Sequence, residues 1–357
     1  MDNTPYIFGE KLIVEIRGES HGPFVSACVK GLPAGFRPDP DKLAAFMKRR
    51  SSSGENGGTA RMEKDNPVFV RGLTGGVTDG GTLEIRLDNT DVRKEDYELI
   101  SHVPRPGHAD LAAYMKFGSI PSGGGAFSGR MSAPVCAAGG VIIQLLEERG
   151  IRIFSHLFSV GEIFDIPYDP MEPSFGTCGD FPCVSPRSAK LMKMEIESAR
   201  RSGDSVGGVI ECAVTGLPAG LGGALYEGTE GRIASAVFAV PAVKGIEFGA
   251  GFSAARMRGS MNNDGYRIKD GKVSFESNSS GGILGGITTG MPLIFRTAVK
   301  PTPSIASPQH SVDLERMEDT VLEVEGRHDT CIAVRALPVI EASCAIAIYD
   351  MILKEEK

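Results

Sequence analysis

The segment SACVKGLPAG, Ser26 to Gly35, joins a strand-like run to a glycine-proline turn. A near copy, ECAVTGLPAG, occupies Glu211 to Gly220, about 185 residues later in the chain. A strand and turn repeated at such a separation indicates two similar halves built into one body. A single pair of segments is also compatible with coincidence, so the repeat is a hypothesis at this stage.

Beyond these two segments, the spacing of apolar residues predicts further strands and helices, which alternate irregularly along the chain. A helix is predicted after the first turn, with Asp39 or Asp41 near its start. No linker rich in proline, serine, glycine or charge divides the chain, so the pattern favours one α+β domain over residues 1–357. The predicted strands include KLIVEIR, RIFSHLFSVGEIF and PLIFRTAVK, and the predicted helices include LAAFMKRR, MSAPVCAAGGVIIQLLEERG, SAKLMKMEIESARR, RIASAVFAVPAVKG and PVIEASCAIAIYDMILKEEK.

Composition narrows the class of protein. The 357 residues are 41% hydrophobic, which is ample for a substantial core. A net charge of −7 and a pI near 5.5 argue against general nucleic-acid or membrane-surface binding. We identify no apolar run that approaches the roughly 18 to 20 residues of a membrane span, and the N-terminus does not resemble a signal peptide. A cytoplasmic protein is therefore expected.

The seven cysteines are odd in number and scattered, which favours reduced core residues over a disulfide framework. The closest pair, Cys178 and Cys183, has no histidine or second cysteine pair nearby. We therefore predict no metal site.

GESHG, Gly18 to Gly22, matches the G-x-S-x-G pattern of a hydrolase nucleophile elbow. An elbow requires a helix directly after the serine, whereas the following text begins with Pro23 and predicts another strand. No HGGG-type oxyanion segment occurs either. A serine hydrolase based on Ser20 is thus disfavoured, and His21 becomes the better candidate for chemistry, with a structural histidine as the alternative.

Four further polar motifs indicate an anion site: RPGHAD (105–110), SGGGAFSGR (122–130), KPTPS (300–304) and GRHD (326–329). The glycine motif precedes a predicted helix, whose free N–H groups and dipole favour an anion. Each motif alone is also compatible with an ordinary loop or helix cap. None matches a Walker loop or a dinucleotide-binding fingerprint.

Taken together, GESHG, RPGHAD, the GGG-x-x-S-x-R segment, MRGS, GGILGG, KPTPS and GRHD resemble the chorismate synthase family in order and spacing, from about Tyr6 to Asp350. The resemblance implies a single-domain β-α-β sandwich, with antiparallel sheets packed on central helices, assembled as a homotetramer. It also implies conversion of 5-enolpyruvylshikimate 3-phosphate to chorismate by anti-1,4 elimination of phosphate. That reaction requires reduced FMN although it involves no net redox change.

The resemblance further assigns roles to individual residues. His21 would act as general acid toward the departing phosphate, His108 would act at the reduced flavin, and Asp329 would accept a proton relayed through flavin N5. The substrate anions would be bound by Ser20, Arg49, Arg50, Arg130 and either Arg335 or Arg327. Flavin contacts would come from Ala126, Phe127, Ser128, Met261, Asn262, Gly285, Lys300, Pro301, Thr302, Pro303, Ser304 and Arg327.

The chain departs from the family pattern at two places. GGGRSSAR becomes GGGAFSGR, so that Ala126 and Phe127 replace an arginine and a serine, and an arginine expected after RRxPG aligns with Asn56. Weaker binding of substrate or flavin, compensation by Lys48 or Arg61, and a flavin- or anion-binding homologue without synthase activity all remain open. No flavin-reductase segment or nicotinamide fingerprint occurs, so we expect an external reductase, with NADPH involved only indirectly.

Overall fold

Two five-stranded antiparallel sheets enclose a pair of long apolar helices in the computed structural model, which describes residues 5–51, 65–90, 101–174, 181–324 and 329–356. This layering is the α+β, β-α-β sandwich expected from the resemblance. The first sheet has the order β1-β2-β3-β7-β4, and the second has the order β11-β16-β10-β8-β9. The strands of the first sheet are β1 (Tyr6–Phe8), β2 (Ile13–Gly18), β3 (Phe24–Lys30), β4 (Val68–Arg71) and β7 (Leu83–Asp88). Those of the second are β8 (Arg152–Val160), β9 (Ile163–Phe164), β10 (Gly208–Thr215), β11 (Val243–Phe248) and β16 (Leu293–Val299).

Seven α-helices and four two-stranded hairpins complete the described part of the chain. The helices are α1 (Pro40–Arg50), α2 (Asp110–Phe117), α3 (Ser132–Glu148), α4 (Pro186–Arg201), α5 (Thr229–Phe238), α6 (Gly259–Asn262) and α7 (Ala333–Glu355). The hairpins pair β5 (Leu73–Thr74) with β6 (Val77–Thr78), β12 (Tyr266–Lys269) with β13 (Lys272–Phe275), β14 (Ile283–Leu284) with β15 (Ile287–Thr288), and β17 (Gln309–Asp313) with β18 (Glu318–Leu322).

The two GLPAG turns occupy equivalent places. Each follows the central strand of its sheet, β3 or β10, and each leads into a helix, α1 or α5. The N–H of Gly35 donates to the carbonyl of Thr78 at 2.8 Å, and the N–H of Gly220 donates to the carbonyl of Thr288 at the same distance. Both threonines belong to small hairpins that precede the next long strand, β7 or β16. The order of elements and their turn contacts therefore repeat between the halves.

The core lies where α3 and α7 cross between the sheets. Helix α3 packs on β3 and β7, α7 packs on β8 and β10, and the two helices pack on each other. Gly139 of α3 makes the close approach possible, because an added Cβ would lie 2.3 Å from the Cβ of Ala342 on α7. Small residues on α3 thus set the spacing of the central layer.

Helices α3 and α7 differ from one sequence-based expectation. The segments Gly129–Glu148 and Ala333–Glu355 are long and apolar enough to cross a membrane by length and composition, although we identified no such run in the sequence. Most of each segment is buried inside the protein, between the sheets. Their hydrophobicity is therefore that of core helices.

Several helix predictions are confirmed, with shifted ends. Asp39 caps α1, since its side chain accepts from the N–H groups of Asp41 and Lys42 at 2.9 and 3.1 Å. The final helix begins at Ala333, upstream of its internal proline, Pro338. The helix predicted over RIASAVFAVPAVKG ends at Phe238, and the rest of that text turns at a proline and becomes β11.

Six of the seven cysteines lie in the described residues, and all six are buried in the core, as predicted. Burial raises the pKa of the Cys136 and Cys331 thiols to about 12. These thiols are therefore protonated at neutral pH and act as small apolar core residues. Cys178 lies outside the described residues.

Candidate active site

A cavity of about 570 Å³ lies where four helix ends of the two halves meet. The N-terminal ends of α3 and α7 and the C-terminal ends of α1 and α5 border it, together with the RPGHAD, glycine-rich and KPTPS segments. Two helix N-termini at one cavity favour negatively charged ligands. The sequence-predicted site residues that line it are Arg50, His108, Ala126, Phe127, Ser128, Arg130, Lys300, Thr302, Pro303, Ser304, Asp329 and Arg335.

Arg50 and Arg130 form a buried pair bridged by one carboxylate. Arg50 ends α1 and Arg130 lies just before α3, and each donates from a terminal guanidinium nitrogen to a different oxygen of Asp65. Arg50 also donates to the Ser132 hydroxyl at 3.0 Å, and Arg130 donates to the side-chain oxygen of Asn89 at 2.7 Å. Burial acts to raise the pKa of Asp65, but the two guanidinium groups outweigh it and hold that pKa below its ordinary value. The cavity thus contains two oriented cations and an ionised internal anion.

Arg335 brings a third guanidinium to the same cavity from the first turn of α7. It donates to both oxygens of Asp329 at 3.0 and 2.8 Å, and to the main-chain carbonyl of Arg50 at 2.9 Å. The carbonyl contact ties the end of α1 to the start of α7. Three guanidinium groups are therefore fixed relative to one another across segments that are distant in sequence.

His108 belongs to a second charged cluster on the cavity. Its Nδ1 lies 2.5 Å from Oδ1 of Asp110, the first residue of α2. Arg105 donates to both carboxylate oxygens of Asp110, at 2.7 and 2.9 Å, and to the Ser304 hydroxyl at 3.2 Å. Burial acts to raise the pKa of Asp110, but the hydrogen bonds from Arg105 and His108 hold it well below the usual range. This cluster connects RPGHAD to KPTPS.

The glycine run in SGGGAFSGR separates the two predicted catalytic histidines. Gly123, Gly124 and Gly125 all adopt positive φ angles, of 59°, 80° and 50°. An added Cβ at Gly123 would lie 1.5 Å from Cε1 of His21, and one at Gly124 would lie 3.2 Å from Cε1 of His108. Because only glycine gives this backbone and this clearance, the run lets both imidazole rings pack against one loop.

The KPTPS turn supplies polar groups suited to an anionic or flavin ligand. The ammonium of Lys300 donates to the carbonyl of Gly107. Burial lowers the pKa of Lys300, and the neighbouring cation Lys244 lowers it further. The Thr302 hydroxyl is buried and lacks a hydrogen-bond partner among the described residues. An unsatisfied hydroxyl on a cavity wall is typical of a site that a ligand completes.

Other predicted site residues do not line the cavity. Arg49 turns away from it and forms a two-point ion pair with Glu341, at 2.6 Å for each contact. Met261, which is 69% exposed, and Asn262 lie on the short helix α6, and Gly285 lies in the exposed β14–β15 turn. Arg327 falls outside the described residues, as do Asn56 and Arg61. Ser20, His21 and Pro301 also lie outside the lining residues that the structure describes.

The hydrolase interpretation of GESHG is not supported by the local backbone. Ser20 precedes β3, which begins at Phe24, so a strand follows the serine where an elbow needs a helix. The Ser20 side chain is fully buried, and its hydroxyl has no hydrogen-bond partner within the described ranges. Within the described residues, the Ser20 hydroxyl therefore makes no hydrogen bond to a base.

Several site residues escaped the sequence-based assignment. Arg105 and Asp110 stood inside a motif that was already recognised, so the pattern of a cation and an acid around His108 was an available signal. Asp65 and Lys244 carried no such signal, because neither lies in a recognised motif. In the structure, Asp65, Lys244 and Arg105 line the cavity. Asp110 is hydrogen-bonded to two residues that line it, Arg105 and His108.

Comparison with known proteins gives a consistent result. A family model described as chorismate synthase matches residues 12–353. The chorismate synthase of Lancefieldella parvula is 42% identical, with 96% of this chain and 95% of the relative covered. That of Thermococcus gammatolerans is 43% identical, with 98% of each covered. A crystal structure of a chorismate synthase matches with a TM-score of 0.74 at 26% identity, covering 98% of this chain and 93% of the other.

Proposed function

The chain belongs to the chorismate synthase family of lyases, and on that premise we propose that it converts 5-enolpyruvylshikimate 3-phosphate to chorismate with the help of reduced FMN. In this elimination a C–O bond to phosphate and a ring C–H bond break, a carbon–carbon double bond forms, and phosphate leaves. Electrons balance within the substrate and products, so no net oxidant is consumed. The proposal concerns this substrate, this cofactor and the residues that serve them.

The convergence of Arg50, Arg130 and Arg335 on one cavity is the observation that carries the proposal. A substrate with a phosphate and two carboxylates needs several cations in a fixed arrangement, and guanidinium groups bind such anions in two-point fashion. The N-terminal ends of α3 and α7 add favourable dipoles at the same place. Few other ligand classes would use this many fixed positive groups.

The remaining polar groups have separate tasks in this mechanism. His108 holds or donates a proton at the cavity wall, and His21, which packs against Gly123 of that wall, is the general acid that the family resemblance assigns to the leaving phosphate. Asp329, fixed by Arg335, accepts the proton removed from the ring. Imidazoles suit such transfers because their ordinary pKa lies near working pH.

FMN fits the groups found at this cavity. The Thr302 hydroxyl, which has no hydrogen-bond partner in the described ranges, and the Lys300 ammonium would hold it, with main-chain contacts from Ala126 to Ser128. When bound, reduced FMN supplies an electron-rich ring that assists phosphate departure. Ala126 and Phe127 cannot provide the side-chain cation and hydroxyl of the family pattern, so the main chain must serve there.

Anaerobic assay tests the proposal directly. Photoreduced FMN and 5-enolpyruvylshikimate 3-phosphate are added to the enzyme, and phosphate and chorismate are measured separately. We expect both products in equal amounts, and turnover lowered about 10- to 10⁴-fold in His108→Ala. His310→Ala, at an exposed position on β17 that does not line the cavity, provides the matched control. Phosphate release no greater than without enzyme refutes the proposal.

A flavin- or anion-binding homologue without synthase activity is the second candidate. It is favoured by Ala126 and Phe127, which line the cavity without a charged side chain. This candidate predicts that FMN fluorescence is quenched by the protein while a strain that requires aromatic amino acids is not complemented. Complementation by the unaltered chain eliminates it.

The cellular setting follows from the same proposal. We propose a cytoplasmic homotetramer that receives reduced FMN from an external flavin reductase, with NADPH acting only through that reductase. Oxygen-free stopped-flow with NADPH and oxidised FMN separates the alternatives, since bleaching of the flavin by this protein alone would contradict the external reductase.

A further inference from the structure

We propose that Asp110 is a positioning residue that fixes the tautomer of His108, with Arg105 holding Asp110 in place. The inference rests on the proposed role of His108 at the cavity. It deepens that role by naming the group that determines which ring nitrogen carries the proton. The sequence motifs assigned no role to Asp110 or Arg105.

The contact between Asp110 and His108 determines where the ring proton lies. Asp110 Oδ1 is 2.5 Å from His108 Nδ1, and the carboxylate side chain is only 1% exposed. Two side-chain donors from Arg105 and the Arg105 main-chain N–H at 3.1 Å keep this carboxylate ionised. An ionised carboxylate has no proton to give, so the hydrogen in the contact belongs to Nδ1.

The unprotonated nitrogen of the neutral ring is consequently Nε2. The ring edge that carries Nε2 and Cε1 faces the glycine run. A Cβ added to Gly124 would lie 3.4 Å from Nε2 and 3.2 Å from Cε1. Nη2 of Arg105 lies 3.0 Å from Nδ1 and 3.4 Å from Nε2. A guanidinium nitrogen only donates, so with Nδ1–H directed to Asp110 the ring atom that can accept from Nη2 is Nε2. Since Asp110 already accepts from Nδ1–H, Nε2 is the nitrogen that takes up a proton, and a ligand at that nitrogen competes with the Arg105 contact.

The local fold makes Asp110 suited to this task. It is the first residue of α2, where the helix dipole favours a negative charge. Arg105, five residues earlier, is itself buried and anchored on Ser304 of the KPTPS turn. The His108 ring is therefore held from two segments about 200 residues apart in sequence, an arrangement comparable to the outer-shell partners that orient functional histidines elsewhere.

Asp110→Asn tests the proposal because its amide can accept from Nδ1–H or donate to Nδ1, and so no longer selects one tautomer. Long-range ¹H–¹⁵N spectra of the ligand-free, ¹⁵N-histidine-labelled protein report the tautomer, with the His108 signals identified from His108→Gln. We expect a protonated Nδ1 in the unaltered protein and a mixed or reversed tautomer in the variant. Protonated Nε2 in the unaltered protein overturns the proposal, as does an unchanged His108 tautomer in Asp110→Asn.

Kinetics give the second readout. We expect kcat to fall about 10- to 100-fold in Asp110→Asn, with KM for the substrate within about twofold, and Asp110→Glu to recover part of the loss. In a His108→Ala background Asp110→Asn should cost less than about twofold. An equal loss in both backgrounds overturns the proposal, because a merely structural defect would not depend on His108.

A matched control distinguishes the loss of any carboxylate at a helix start from the loss of the carboxylate that fixes the His108 tautomer. Asp41→Asn removes an exposed carboxylate from the first turn of α1, at the opposite end of that helix from Arg50 and the cavity, and should alter neither the spectrum nor kcat. An unaltered enzyme that forms no chorismate would refute the proposed function, whereas the tautomer measurement would still decide the role of Asp110.

Discussion

Asp65 lies between Arg50 and Arg130, with one carboxylate oxygen toward each guanidinium group. All three side chains are at least 96% buried, so solvent does little to screen the charge of either arginine. Asp65 therefore holds two cations side by side in the cavity, and a substrate anion must bind in the presence of this internal carboxylate. The number of arginines alone overstates the positive charge of the site.

Replacement of this carboxylate should destabilise the protein. Asp65→Asn leaves two buried guanidinium groups without their shared anion, and we expect the free energy of unfolding to fall by about 3 to 5 kcal/mol. Urea denaturation followed by circular dichroism measures the change. Asp41→Asn, at an exposed carboxylate, should alter the stability by less than about 0.5 kcal/mol. A similar small change for Asp65→Asn would show that the bridge is not a net stabilising feature.

The contact between Gly123 and His21 predicts a selective loss of activity. Gly123→Ala places a methyl group where the His21 ring lies, so the imidazole must move. We expect kcat to fall at least about tenfold, in the range of lost general acid–base catalysis. The same assay of phosphate release measures it.

Gly118→Ala is the matched control for backbone strain. Gly118 has a φ of +78° at the end of α2, with no atom within 4 Å of an added Cβ. Both variants should lose about 1 to 2 kcal/mol of stability through the positive φ angle. If both lose kcat to the same extent, the contact with His21 has no special importance.

At the scale of elements, the α3–α7 crossing depends on small residues. An added Cβ at Gly139 would meet the Cβ and Cα of Ala342 at 2.3 and 2.5 Å, inside a layer bounded by sheets on both sides. The helices can separate only by disturbing contacts with those sheets. Since the N-termini of both helices border the cavity, their spacing also sets the distance between Arg130 and Arg335.

A glycine-to-alanine substitution is expected to change the stability of the protein in opposite directions in α3 and in α5. Gly139→Ala should destabilise the protein by about 1 to 3 kcal/mol, through overpacking of the helix crossing. Gly231→Ala in α5 should stabilise it by about 0.4 to 1 kcal/mol, because the added Cβ meets no atom within 4 Å and alanine favours the helix. Thermal unfolding of both variants provides the measurement. Stabilisation by Gly139→Ala would contradict the packing described here.

At the scale of the whole molecule, three predicted flavin contacts lie away from the cavity of their own chain. Met261 and Gly285 are exposed, and Asn262 is beside Met261 on α6. None of the three is among the described residues that line the cavity, so we expect them to reach the flavin of a second copy of the chain. Their position is thus one reason to expect an assembly in which sites are shared between subunits.

Subunit mixing tests this expectation. We expect Met261→Glu to lower FMN affinity at least about tenfold through loss of an apolar contact, and His108→Ala to lower turnover. A mixture of the two variants, dissociated and reassembled together, should recover activity, because some sites then receive intact residues from both chains. Each variant reassembled alone is the control. No recovery in a mixture shown by native mass spectrometry to contain mixed assemblies would place Met261 outside a shared site.

Local sequence predicted much of the framework because its signals depend on near neighbours. The capped start of α1 at Asp39, the strand before each GLPAG turn, and the apolar text of α3 and α7 all require only short stretches of chain. The ordered motifs also predicted the family, which the comparisons confirm. Less was predictable at the helix ends, where Pro338 falls inside α7 because the buried packing of that helix overrides a local breaker.

The sequence by itself determined most of the secondary elements and the α+β class, and most of the site residues that it predicted line the cavity. Only the tertiary structure decided how their side chains pair. Arg49 and Arg50 are adjacent in sequence, yet one binds Glu341 and the other binds Asp65, since neighbouring helix positions point about 100° apart. Arg105 meets Ser304, and Arg335 meets the carbonyl of Arg50, across 199 and 285 residues. Such contacts follow from packing between distant segments, which leaves no periodic signal in the chain.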